Sequence, residues 1–309
     1  FSHIQVLIRH IFGEQYELGM DYLQLLYLQP VQKLPILLLV SEERNTGKST
    51  FLNFLKAMFR NNVTFNTNED FRSQFNADWA GKLIIVVDEV LLNRREDSER
   101  LKNLSTTLSY KVEAKGKDRD EIAFFAKFVL CSNNESLPVI IDPGETRYWV
   151  RKIHRLESDD TNFLQKLTAE IPAFLYFLQY RELTTRQESR MWFSPKLTET
   201  SALLRIIRCN RGKHEVEVME LIREIMDNVG TDNFSFCLND LLNLLNLSGV
   251  KIEKHHLRRI ITESWKLTPA PNGLTYTTYQ FDYNKECRFA PVRRVGRFYT
   301  VSRTLLDEL

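Results

Sequence analysis

Residues 34–50 read LPILLLVSEERNTGKST, an apolar run, a polar loop, and then Gly47-Lys48-Ser49 opening an amphipathic stretch. An unbroken apolar run of this length is the pattern of a strand buried on both faces. The segment therefore predicts strand, loop and helix in succession, the layout of a phosphate-binding loop. In that layout the backbone of Asn45, Thr46 and Gly47, with the helix start at Lys48, Ser49 and Thr50, cradles phosphates. Lys48 reaches the β- and γ-phosphates, and the Ser49 hydroxyl ligates Mg²⁺. One position departs from the pattern G-x-x-x-x-G-K-[ST]: Glu42 stands where the first Gly is expected. A carboxylate beside a triphosphate repels it unless it points outward or pairs with a cation such as Arg44. Glu42 is expected to face solvent.

Similar apolar runs recur at 35–40, 83–87, 125–131 and 148–153, with a weaker one at 63–66. Helical segments separate them, which predicts an α/β core with a mostly parallel sheet. Before it, Ile4, Leu7, Ile8 and Ile11 share one helical face and Tyr22, Leu25 and Leu26 another, until Gln29-Pro30 ends the region. Residues 161–183 read as a long helix that Pro172 kinks or splits. The expected divisions are an N-terminal helical segment at 1–30, a P-loop core at 31–183, a linker or lid at 184–213 and a C-terminal domain at 214–309.

The core's second motif is residues 82–89, KLIIVVDE, a buried strand ending in two carboxylates. Asp88 suits Mg²⁺, directly or through water, and Glu89 suits the polarisation of an attacking water. A solvated acidic turn would look the same in isolation. Its place forty residues after Lys48 favours the catalytic reading, since both strand ends can meet at one crevice. A third strand, 128–134, ends in Ser132-Asn133-Asn134, where Asn133 suits a sensor of the γ-phosphate; such clusters are also ordinary turns. Arg147 precedes the next apolar run and reads either as a surface charge or as an arginine finger. Between the second and third motifs, Lys115-Gly116-Lys117 reads as a hairpin tip suited to gripping a nucleic-acid backbone, or simply as a solvated turn.

From 214 the pattern changes. Val218, Leu221, Ile222 and Ile225 give helical spacing over 216–229, 238–245 follows, and Ser248-Gly249-Val250 reads as a turn. A basic helix at 253–265 carries Lys254, Arg258 and Arg259. Strand-like material at 274–281 and 297–301 completes a winged-helix outline. Residues 285–303 hold six basic side chains against Glu286 alone. Lys254, Arg258, Arg293, Arg294 and Arg297 are the candidate DNA contacts, although winged helices also dock proteins. His255 and His256 adjoin on a helix and face different directions, which argues against a metal site there.

Taken together, the order of motifs resembles superfamily 3 helicases, in particular the helicase half of phage, plasmid and poxvirus-type primase-helicases. The phrases LQLLYLQPVQKLPILLLV and DFRSQFNADWAGKLIIVVDE add to the likeness, which covers about 21–183. The resemblance implies an AAA+-like ATPase using ATP and Mg²⁺, assembled as a ring, expected to be a hexamer, on single-stranded DNA at a replication fork, with 3′-to-5′ polarity. It implies Lys48 and Ser49 for phosphate and metal, Asp88 and Glu89 for metal and water, and Asn133 as sensor. Lys115 and Lys117 would grip DNA and Arg147 would act in trans. The helices before 21 would form an oligomerisation collar, and a primase domain is expected in the same polypeptide. Two other functions fit the motifs less fully: a DNA-loading or remodelling P-loop ATPase without unwinding, and a non-hydrolysing DNA-binding module.

Composition adds bounds. With 42 basic and 40 acidic side chains, net charge +2, overall charge selects no partner; what matters is where the charges sit. Cys131, Cys209, Cys237 and Cys287 show no metal or redox spacing, as expected of a reduced cytosol. No apolar run is long enough to span a bilayer, and no signal peptide is expected. Because position 1 is Phe, the chain is expected to be a piece of a longer polypeptide.

Overall fold

The computed structural model describes residues 1–309 apart from 74–75, 93, 113–119, 157–159 and 283–287. The chain forms two units, Phe1–Asn210 and Arg211–Leu309. The elements of the first are α1 (Ser2–Phe12), α2 (Tyr16–Leu28), β1 (Ile36–Val40), α3 (Lys48–Phe59), β2 (Val63–Asn66), α4 (Asn68–Arg72), β3 (Ile84–Val87) and α5 (Arg95–Thr106). Then follow β4 (Ser109–Val112), β5 (Asp120–Ala123), β6 (Lys127–Ser132), β7 (Tyr148–Lys152), α6 (Phe163–Tyr180), α7 (Pro195–Thr198) and α8 (Ser201–Cys209). The second holds α9 (Lys213–Val229), β8 (Asn233–Phe236), α10 (Leu238–Leu247), α11 (Lys254–Arg259), β9 (Leu274–Phe281), β10 (Phe289–Gly296), β11 (Tyr299–Ser302) and α12 (Arg303–Glu308).

Five strands make one sheet in the order β2-β3-β6-β1-β7, and every pairing is parallel. Alternation along each strand sends side chains to opposite faces, and here both faces are apolar. Leu37, Leu39, Val86, Val129 and Trp149 meet α1, α2, α3 and α6 on one side. Leu38, Ile85, Val87, Phe128, Leu130 and Val150 meet Leu101, Leu104, Leu203 and Ile206 of α5 and α8 on the other. That double burial is why the runs read as continuous rather than alternating. The first helices belong to this core: Ile4, Leu7 and Leu25 are fully buried in it. Trp149 stacks on Phe12 with centroids 5.0 Å apart, and its indole N–H donates to Gln15 Oε1 at 2.8 Å. Gly19 is needed for that approach, because a Cβ there would overlap the Phe12 ring.

Much of 184–210, expected as linker or lid, is built into the first unit. Thr184 and Thr185 donate backbone N–H groups to buried Asp21 at 3.1 and 2.8 Å. Thr200 caps α8, accepting the Leu203 N–H at 3.2 Å and donating its hydroxyl to the Val150 carbonyl at 2.6 Å. Pro172 neither splits nor ends α6; it lies on the solvent side, where the carbonyl one turn back, left without its donor, reaches water. The antiparallel pair β4–β5 is seated by aromatic packing, with Tyr110 stacked on Trp79 (6.0 Å) and Phe124 against Phe128. Lys115 and Lys117 fall between these strands, outside the described residues.

The second unit has its own core, in which Val218, Leu221, Ile222 and Ile225 of α9 pack with Leu241, Leu244, Leu257 and Trp265. Glu215 is buried but satisfied, accepting from Ser264 Oγ at 2.6 Å and Trp265 Nε1 at 2.9 Å. Two antiparallel pairs complete it, β9–β10 and β8–β11. The helix expected over 253–265 is α for one stretch and then widens into a π-helical turn at Ile260–Ser264.

Candidate functional site

The tips of β1, β3 and β6 lie side by side and are laced together. The Ser41 N–H donates to the Ser132 carbonyl at 3.1 Å, the Val90 N–H to the Cys131 carbonyl at 2.7 Å, and Ser132 Oγ to the Val90 carbonyl at 2.9 Å. Above them opens a cavity of about 590 Å³. One wall is the loop 43–50, and the facing wall is Glu89 and Asn133.

The loop is shaped by two left-handed residues, Asn45 (φ 55°) and Gly47 (φ 78°), the residue types that adopt this conformation most readily. It is held from outside. The Leu156 N–H donates to the Asn45 carbonyl at 2.9 Å, and His10 Nε2 lies 2.9 Å from the Thr46 carbonyl, to which it donates. Gly47 ends the loop as the N-cap of α3 and supplies no side-chain cap. The first N–H groups of that helix therefore have no partner within the helix and sit at the cavity with the positive end of its dipole. Ser49 and Thr50 line the same wall.

Lys48 is 7% exposed, with Nζ 3.5 Å from the Ser41 carbonyl. Burial pulls its pKa below the ordinary lysine range, and the charges of Asp88 and Glu135 oppose that pull. At this position an anion would be a better partner than the carbonyl. Across the cavity, Glu89 has left-handed backbone (φ 52°) and is exposed. Its N–H donates to Asp88 Oδ1 at 3.0 Å. Asp88 itself is half-buried and stands behind the wall. Asn133 is exposed into the cavity, whereas Asn134 closes a turn by accepting the Ser136 and Leu137 N–H groups at 2.9 and 2.8 Å.

The structure brings together Asn45, Thr46, Gly47, Lys48, Ser49, Thr50, Glu89 and Asn133, with Asp88 adjoining. It does not bring Arg147 there. That residue precedes β7, at the end of the sheet away from the loop, and forms a two-pronged contact with Glu145 at 2.9 and 2.7 Å. Glu42 points away from the cavity, 62% exposed, with its carboxylate 3.7 Å from Arg205 rather than beside Arg44.

Three residues in or beside the site carry no sequence signal. Arg155 and Leu156 line the cavity from the chain beyond β7, and the Arg155 N–H donates to Glu43 Oε2 at 3.0 Å. Asn68, at the start of α4, clasps the turn after β3: its Nδ2 donates to the Glu89 carbonyl at 3.1 Å, and its Oδ1 accepts the Leu91 N–H at 2.9 Å. Among the described residues no group of three or more His, Cys, Asp or Glu side chains could hold a metal by itself.

In the second unit the basic residues do not converge. Lys254, Arg258, Arg293 and Arg297 are exposed. Arg294 is paired 3.1 Å from buried Asp240, and Arg297 donates to the Pro271 carbonyl at 2.9 Å. Arg293 and Arg294 are neighbours on β10 and so lie on opposite faces of the hairpin.

Residues 39–151 match the model of a family described as a family of unknown function, DUF5906. Over 111 residues the chain is 30% identical to a DNA primase-polymerase of Nitratiruptor phage NrS-1, a stretch that makes up 34% of this chain and 15% of that protein's length. The fold is similar to the apo structure of the NrS-1 C-terminal region, with TM-score 0.68 and 17% identity over 96% of this chain and 76% of that one. A second form of that region gives TM-score 0.65 and 18% identity over 98% and 75%. At this identity the likeness is one of fold. Residues 39–151, the stretch that the family model matches, include Lys48, Asp88, Glu89 and Asn133. No described helix is long and apolar enough to cross a membrane.

Proposed function

We propose that the first unit is an AAA+-like P-loop ATPase and that the chain is the helicase portion of a DNA replication protein. The observation that carries this reading is the meeting of Lys48, Ser49, Glu89 and Asn133 around one cavity at the carboxyl ends of three neighbouring parallel strands. Ligands of open α/β sheets bind at that place. The cavity has room for a nucleoside triphosphate, and its donors suit one: unpartnered helix N–H groups, a buried lysine, and Arg44 and Arg155 at the rim. Similarity to a phage primase-polymerase supports the replication context.

In this reading the loop N–H groups and Lys48 hold the β- and γ-phosphates. Ser49 and Asp88 would hold Mg²⁺, which when bound would neutralise charge on the phosphates. Glu89 orients and polarises the attacking water, and Asn133 contacts the γ-phosphate. Arg147, at the far end of the sheet from the loop, acts across a subunit boundary in a ring, expected from the family resemblance to be a hexamer. Lys115 and Lys117 grip the single strand, and 3′-to-5′ movement is the expected polarity. The second unit, a winged-helix-like module, contacts DNA through Lys254, Arg258, Arg293 and Arg297; Arg294 serves its own domain through Asp240.

The test is ATP hydrolysis and particle mass for wild type and Lys48→Ala, with and without single-stranded DNA. Hydrolysis stimulated by DNA and lost at least about a hundredfold in the variant, on the scale of losing transition-state charge stabilisation, supports the proposal. Equal hydrolysis by the two proteins overturns it.

A further inference from the structure

Glu135 lies three residues past β6, in none of the motifs, and is 3% exposed. A carboxylate so buried is costly unless fully partnered, and this one has three partners from separate parts of the chain. It accepts the Glu42 backbone N–H at 3.1 Å, pairs with Lys152 Nζ at 2.8 Å and pairs with Arg205 of α8 at 2.8 Å. Burial alone would push its pKa up, yet Lys152, the Glu42 N–H and Arg205 hold it below the ordinary carboxylate range. Arg205 in turn reaches the Glu42 carboxylate at 3.7 Å. The cluster thus starts at the loop position where the phosphate-binding pattern calls for glycine.

We propose that Glu135 is a positioning residue for the nucleotide loop, acting through the Glu42 N–H and through Arg205, which it holds so that the Glu42 carboxylate is drawn off the phosphate path. This rests on the nucleotide-site reading above. Glycine at the first position avoids the steric and electrostatic problem by having no side chain. Here the chain keeps the carboxylate and neutralises it with an arginine. That arginine is itself fixed by a second, buried carboxylate. Lys152, at the end of β7, balances the remaining charge. Arg205 steadies the Glu42 side chain, while Glu135, which holds Arg205, also fixes where the loop's first N–H points.

The coupling is measurable by titrating a fluorescent ATP analogue with Mg²⁺ into wild type, Arg205→Ala, Glu42→Gly and the double variant, with thermal melts confirming that each is folded. Arg205→Ala is expected to weaken binding about fivefold to tenfold in the presence of Glu42, within the range of coupled neighbours. In the Glu42→Gly background the same change is expected to cost under about twofold, as independent sites do. Equal losses in both backgrounds overturn the proposal. Glu135→Gln, which keeps an acceptor for the Glu42 N–H but loses the charge, should fall between wild type and Glu135→Ala; if Gln binds as weakly as Ala, the N–H contact has no part. A wild type that binds no better than Lys48→Ala defeats the nucleotide reading and the proposal together. Binding by wild type without the Arg205–Glu42 coupling defeats only the latter.

Discussion

The two units handle charge in opposite ways. In the first, Lys48, Asp88 and Glu135 come from distant points in the chain and are brought together by strand ends, partly or wholly buried, with electrostatics felt between them. In the second, basic residues crowd the sequence over 285–303, but the described ones are spread from the start of β10 to the start of α12, and four of the five arginines, Arg288, Arg294, Arg297 and Arg303, bind separate partners in their own domain. Density of charge along a sequence and convergence of charge in space are different properties. Neighbouring strand ends of a buried parallel sheet produce convergence by topology; a basic hairpin does not, and its arginines are taken up singly by separate partners.

The largest test of that separation is in the second core. Leu241→Ala is expected to destabilise that unit by about 2–5 kcal/mol, the usual range for a fully buried leucine, while ATP hydrolysis by the first unit stays within about twofold of wild type. Denaturant melts paired with hydrolysis assays read both, and loss of hydrolysis at temperatures where the first unit remains folded would break the division. Next is Asn68→Ala. Releasing its clasp on the Glu89 turn should lower the rate constant of hydrolysis about tenfold, the roughly 1.4 kcal/mol scale of a lost hydrogen bond to the turn proposed to position the water, with nucleotide affinity unchanged. A matching loss in affinity would assign Asn68 to folding of the loop instead. Third, Arg293→Ala with Arg297→Ala should reduce the salt slope of DNA binding by about two, roughly one per lost phosphate contact, and leave hydrolysis without DNA untouched. An unchanged slope would remove the wing from the DNA interface.

The smallest effect concerns the opposite end of the sheet. Burial lowers the pKa of Lys33 to about 8 and of Lys127 to about 7, and the two donate to the carbonyls of Phe124 and Pro30. Unfolded lysines keep their protons to near 10.5, so between about pH 7 and that value the unfolded chain binds more protons than the folded one. Stability therefore rises with pH across this window. Urea midpoints of wild type should climb from pH 7 to 9 more steeply than those of Lys127→Met; parallel slopes would contradict it.

Local pattern revealed the sheet because each strand is apolar on both faces, and the loop, the acidic pair and Asn133 because each sits at a strand end. The Val63–Asn66 strand was fainter in the sequence because it lies at the edge of the sheet and only Val63 and Asn66 of it are buried. Strand β10 was not singled out: Pro291 and the adjacent Arg293 and Arg294 hide any apolar alternation, and its ladder with β9 is what makes it a strand. Pro172 read as a kink or a split because sequence does not say which side faces water, and the helix runs through it unsplit. Arg155, Asn68, Glu135 and Arg205 were invisible for a different reason. Their roles depend on contacts spanning up to 163 positions of chain, as between Arg205 and Glu42, and no local spacing encodes such a meeting.

Glu89 carries one more consequence. A side-chain-bearing residue in left-handed backbone gives up roughly 1–2 kcal/mol relative to its relaxed form, and glycine at 89 would recover much of it. A laboratory selection for heat tolerance alone, or a sequence designer scoring only the fold, would favour that exchange and discard the carboxylate. On the role proposed for Glu89, the most heat-stable sequence and the working sequence differ at this position, and a thermostable variant bearing glycine there is expected to fold and to lose hydrolysis.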